Sequence, residues 1–159
     1  MNTIDILKYG HQTVLDTLST VPESEWETAG VCGVWSVKEI IAHLASYEHM
    51  LVEVLGGFLE GGPTPYLAKM GELGPEGFND DEVALRRDNT ITEVVTEYKE
   101  TQAQTMALAA QIPSETFRQN GALPWYGAEY DLDDFIVYTF YGHKREHCAQ
   151  IAVFVDQLR

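Results

Sequence analysis

The amphipathic segments of this chain open on helix-start signals, and nothing in the chain alternates apolar and polar residues over a comparable length. The clearest start is Trp35-Ser36-Val37-Lys38-Glu39-Ile40. Ser36 and Glu39 form an S-x-x-E capping box, and Trp35 with Ile40 has the spacing of a hydrophobic staple. Thr90 and Glu93 repeat the capping geometry. An earlier segment, about residues 3–18, places Ile4, Leu7, Leu15 and Leu18 on one face and ends near Pro22. The Ser36 segment runs to about Leu59 and stops at Gly61-Gly62-Pro63, and the Thr90 segment continues to Ile112, where Pro113 ends it. The last begins at Asp131, with Asp134 also favourable at the positive helix end, and reaches the C-terminus. Four long helices specify an all-α fold, a four-helix bundle spanning residues 1–159 as a single domain. Residues 61–77, with five glycines and three prolines, are expected to form one long connecting loop. An extra short helix follows, capped by Asn79 with Glu82 three residues on. A second long loop, residues 113–130, carries Phe117, Pro124, Trp125 and Tyr126.

Composition narrows the function classes. At 159 residues the chain can bury a real core without disulfides or a structural metal. A formal charge of −15 argues against nucleic acid, whose binding depends on neutralising phosphates, and against docking on anionic membranes. No stretch is long and apolar enough to span a bilayer, and residues 1–16 lack the apolar run of a signal peptide. The two cysteines, Cys32 and Cys148, form no C-x-x-C pair, which fits a reducing cytoplasm.

Chemistry enters with Tyr141-Gly142-His143-Lys144-Arg145-Glu146-His147. A spacing of four puts His143 and His147 on one helix face, one turn apart. That face is the apolar stripe of Ile136, Phe140, Ile151, Phe154 and Leu158. Imidazoles at the centre of a core-facing stripe lose water and need partners for their ring nitrogens, and a metal ion is the partner that best explains a pair. A third ligand should come from a facing helix, and the second helix offers His43 within Ile40-Ile41-Ala42-His43-Leu44. Three neutral imidazoles leave coordination positions open, the pattern of catalytic rather than closed structural sites.

Other polar residues on apolar faces have plainer readings. Glu48 falls within the arc of Ile41, Leu44, Leu51 and Leu55, about 140° around the helix from His43, and is read as a partly buried hydrogen-bonding or subunit-contact carboxylate. His11, between Leu7 and Leu15, is a core histidine before it is a pocket residue. His49 is expected in solvent, and Cys148 as a packed thiol. Tyr47, Trp35, Trp125 and Tyr126 are core or loop-packing aromatics before substrate contacts. Glu146 neighbours the site in sequence only.

On the residues Trp35 to Leu44, continuing to Glu48, and on His143-Lys144-Arg145-Glu146-His147, the sequence resembles the DinB-like superfamily of metal-binding four-helix bundles. That superfamily includes bacillithiol and mycothiol S-transferases and maleylpyruvate isomerases. The resemblance implies that His43, His143 and His147 ligate a divalent metal, with an open face for water or a substrate thiolate. Zinc is the first expectation through availability, with nickel or iron as alternatives. It further implies a small-molecule substrate, a low-molecular-weight thiol as co-substrate, and a thiol-dependent S-transferase or isomerase activity. Metal-assisted hydrolysis, or a non-catalytic metal-binding stress-response protein, are the competing readings. A homodimer is expected, because the second helix carries large apolar residues on several sides (Val37, Ile41, Tyr47, Met50, Val52, Leu55, Phe58). The substrate pocket should open at the metal, bordered by residues 61–77 and 113–130.

Overall fold

The computed structural model describes residues 2–159. Helix α1 spans Thr3–Leu18, α2 Val37–Gly56, α3 Pro65–Leu85, α4 Ile91–Ala109 and α5 the single turn Ser114–Phe117. Helix α6, Leu132–Phe135, runs without a break through a wide π turn, Ile136–Tyr141, into α7, Gly142–Gln157. No strand occurs among the described residues, and none of their helices is long and apolar enough to cross a membrane.

The helix starts expected at Ser36, Thr90 and Asp131 form. Both halves of the Ser36/Glu39 box are made, at 3.3 Å to the Glu39 amide and 2.8 Å from the Ser36 amide. Thr90 and Glu93 repeat it, and Asp131 with Asp134 completes a third box. The bundle consists of α1, α2, α4 and the α6–α7 helix: α1 packs on α4 and α7, while α2 packs on α4 and α7 and carries α3. Gly10 allows a close approach of α1 to the last helix. A Cβ there would sit 3.0 Å from the Tyr141 ring and 3.8 Å from the Lys144 chain.

The expected loop over residues 61–77 and the short helix capped by Asn79 are corrected. Residues 61–64 stay outside any helix, but residues 65–79 belong to α3, one helix broken once, at Gly74 (φ 71, ψ 172). Glycine alone adopts that φ without strain, and Pro75 restarts the helix at a position whose amide would be unpaired anyway. Asn79 lies inside the second half. Pro65 opens the first half, where the Glu53 carboxylate of α2 accepts from the Tyr66 and Leu67 amides at 2.9 Å each. Such a carboxylate satisfies free helix-end donors and complements the positive end of the dipole. With α3 and α4 against it, α2 buries Val37, Ile41, Met50 and Leu55 within the chain, and Tyr47, Val52 and Phe58 are half-buried. These are the residues from which a dimer was expected.

An ionic network ties the end of α3 to α4. The Arg86 guanidinium donates to Glu82 at 2.6 Å and to Glu97 at 2.7 and 2.9 Å. His49, expected in solvent, is half-buried here: its Nε2 lies 2.9 Å from Glu97, and its ring stacks on Tyr66 at 4.6 Å. Burial alone would push the Glu97 carboxyl up, but hydrogen bonds from His49 and Arg86 outweigh it and hold the carboxyl at about 2, against an ordinary 4.5. A carboxyl depressed in the folded state contributes stability that is complete above its unfolded value and is lost as pH falls through the folded one. The docking of α3 should therefore weaken as pH is lowered from 4.5 towards 2. Hydrogen exchange, corrected for intrinsic rates, should show α3 amides losing protection in that window before those of α1. Glu97→Gln should remove the dependence, and a wild-type α3 protected equally at both ends would show that the network does not hold it.

Candidate metal centre

His43 stands in the second turn of α2, fixed by the Ser36 cap upstream and by Ile40, Ile41 and Leu44, which anchor that stretch in the core. It is 2 % exposed. His143 and His147 stand on successive turns of α7. The contact of α2 with α7 brings the three together, so His43 meets a residue one hundred positions later in the chain. The His43 and His143 Nε2 atoms are 2.8 Å apart, and those of His143 and His147 are 2.9 Å apart. All three residues offer ligand atoms within 4.8 Å of one another, and no fourth His, Cys, Asp or Glu joins them among the described residues.

Two neutral imidazoles can share one N–H···N bond, but three nitrogens converging on one point cannot all be satisfied by protons. Protonation does not resolve it. Burial, then the neighbouring rings, drives His43 down to about 2, and burial followed by His147 and Lys144 drives His143 down to about 3. Burial also lowers His147, against smaller opposing effects of Gln150 and Glu146. All three therefore present lone pairs at neutral pH, the form that binds metal. Metal–imidazole bonds of about 2.0–2.1 Å place two nitrogens of one ion about 2.9 Å apart at a right angle and about 3.4 Å apart at a tetrahedral one. The spacings match the lower end of that range. The cluster is compatible with a metal ion, and its donors leave the element open.

Neighbouring side chains hold the rings. His147 Nδ1 lies 2.8 Å from Gln150 Oε1, so Nδ1 carries the proton and donates it, leaving the Nε2 lone pair to the cluster. The Gln150 amide in turn hydrogen-bonds the Cys32 thiol. The His43 ring sits between aromatic walls, 4.9 Å from Trp35 and 4.7 Å from Tyr47. Tyr47 is also 4.7 Å from His143, and Asn79 of α3 hydrogen-bonds its phenol. Sequence reasoning placed Trp35 and Tyr47 among ordinary packing aromatics and missed Gln150, although Gln150 follows His147 at the i+3 spacing of one helix turn.

Behind the cluster lies a buried ion pair that the sequence half revealed. Glu48, 1 % exposed, pairs with Lys144, 4 % exposed, and accepts from the Thr105 hydroxyl at 3.0 Å. As expected from its angle on α2, Glu48 does not join the histidines. It is buried completely rather than partly, and the missed partner is the lysine beside His143. His11 stays outside the cluster, its ring 5.3 Å from that of Tyr98 and driven down to about 4 by burial and then by Lys144. Cys148 is a buried thiol.

The π turn shifts the expected stripe. The Gly142 amide bonds to the Val137 carbonyl, five residues back instead of four. Downstream of it Val155 is buried, while Phe154 is half-buried and Leu158 exposed.

An apolar cavity of 570 Å³ adjoins the cluster through Tyr47, which lines it together with Phe135, Thr139 and Phe140 of the last helix. Both stretches expected to border a pocket contribute: Leu67, Met70 and Pro75 from the first, Trp125 and Tyr126 from the second. The histidines are not in its lining, so the cavity meets the cluster across Tyr47 rather than opening directly onto it.

No curated protein and no solved structure matches the chain. The profile of the DinB superfamily matches residues 6–151, a span that runs from within α1 to within α7 and includes all three converging histidines. With that match over most of its length, the chain belongs to the DinB superfamily.

Proposed function

We propose that the protein is a divalent-metal-dependent thiol S-transferase or isomerase, with His43, His143 and His147 as the metal ligands. The observation that carries this reading is the convergence of three neutral imidazole nitrogens, and of no fourth acidic, thiol or histidine ligand among the described residues. A set of three leaves room for an exchangeable ligand, whereas structural sites are closed by four. A divalent ion held there supplies Lewis acidity, lowering the pKa of a thiol or water at its open position. The chain's own contribution is positional. Gln150 fixes the His147 tautomer, and Trp35 and Tyr47 shield the rings from water. Zinc is the first choice of metal, with nickel or iron next. The co-substrate is a low-molecular-weight thiol, and the two cysteines, both free, suit a reducing cytoplasm.

Cobalt-loaded protein titrated with 2-mercaptoethanol tests the reading. An exchangeable position should yield a saturable sulfur-to-cobalt charge-transfer band, and substitution of both α7 histidines should remove it. A spectrum unmoved by thiol would mark a closed, non-catalytic metal site.

A further inference from the structure

The cavity beside the histidine cluster has a lining that selects its occupant. Five aromatic rings surround it (Tyr47, Trp125, Tyr126, Phe135 and Phe140), with Met50 and Met70 filling between them. Its polar side-chain groups are the hydroxyls of Thr139 and the two tyrosines and the Trp125 indole N–H; no charged side chain lines it. Its 570 Å³ lies within the range of small-molecule sites, about 300–1,000 Å³. An ion in such a lining would give up water without gaining a counter-charge, which is costly. A flat apolar ring instead finds edge-to-face partners on several sides and polarisable thioethers that adapt to its outline.

The placement adds a role. Tyr47 is one wall of the cavity and packs at 4.7 Å on both His43 and His143. Phe140, whose ring lies 6.5 Å from that of Tyr47, precedes His143 by three residues. A molecule filling the cavity is thus separated from the cluster by a single side chain. Its lining includes Pro75, directly after the α3 break at Gly74, and the 61 % exposed Trp125.

We infer that this cavity is the binding site for the organic reactant and takes an uncharged aromatic group, held next to the histidine cluster across Tyr47. Its role as the second-reactant site rests on the thiol-transfer reading above; its existence as a binding site does not.

Three probes sharing one ring separate the possibilities: 4-fluorotoluene, 4-fluorobenzoate and 4-fluorobenzyl-trimethylammonium, followed by fluorine NMR on metal-free protein without thiol. The neutral probe should bind saturably, and about tenfold or more tightly than either ion. Met70→Lys, at a half-buried position, should abolish its binding while preserving the helical circular dichroism. Trp125→Ala should weaken it several-fold. Absence of saturable 4-fluorotoluene binding, equal binding of the three probes, or binding unchanged in Met70→Lys would each overturn the inference. Tighter binding of the ammonium would overturn it too, by showing an aromatic cage for a cation. Because neither metal nor thiol is present, the cavity result stands or falls apart from the cobalt titration.

Discussion

Replacing His143 and His147 together by alanine should abolish metal uptake and leave the helices standing. Elemental analysis of untagged protein should give about one equivalent in the wild type and well under a tenth in the double variant, since the loss of two of the three proposed ligands would remove most of the site. The helices should survive because their starts are fixed by the boxes at Ser36, Thr90 and Asp131, and because the core around Ile40, Leu44, Tyr98 and Ile151 forms without the histidines. A chain of this size needs no metal to fold. Chelator-stripped wild type should likewise keep its helical circular dichroism at a lowered melting temperature. Unchanged metal content in the double variant would place the metal elsewhere, and collapse of the helical signal on stripping would make the site structural.

The largest stability effect should come from the ion pair behind the site. Glu48→Ala leaves the Lys144 ammonium buried without its carboxylate, and it leaves the Thr105 hydroxyl only the Thr101 carbonyl, at 3.3 Å, as acceptor. Breaking a buried pair from one side costs about 3–5 kcal/mol. For a chain of this length that lowers the melting temperature by roughly 10 °C. Glu48→Leu combined with Lys144→Met removes both charges while keeping much of the volume, and such replacements are typically neutral or stabilising by about 1–4 kcal/mol. The double variant should therefore melt well above Glu48→Ala. If both variants melt together, volume rather than charge governs that part of the core. Metal content should be retained in each, because neither residue belongs to the cluster.

Where local chemistry dictates conformation, the sequence was a good guide. The cap residues of α2 and α4 need only their own next turn to act, so Ser36 and Thr90 could be recognised without a partner segment. The histidine pair could be recognised because a helix period places residues four apart on one face, and His43 because it interrupts an apolar run. Elsewhere the deciding partner was remote. Gly71, Gly74, Pro75 and Gly77 suggested a loop, yet Gly74 accounts for the whole interruption. The Glu53 carboxylate that starts α3 arrives from α2, where no local pattern announces it. His49 was assigned to solvent by its angle on α2, and Glu97 and Tyr66 cover it. Lys144 was passed over because lysine usually stays exposed, and only the fold sets it against Glu48.

The π turn has a consequence for how this chain can change over generations. Upstream of Gly142, Phe135, Thr139 and Phe140 face the cavity; downstream, His143 and His147 face the cluster. The turn holds one residue more than an ordinary α turn. Losing one residue from 136–141 would let it close as a regular turn with the two halves of the helix still in phase. The same change between His143 and His147 would rotate one ring from the other by roughly 100°. The turn can therefore change its length across generations, and the regular helix that carries the paired rings cannot.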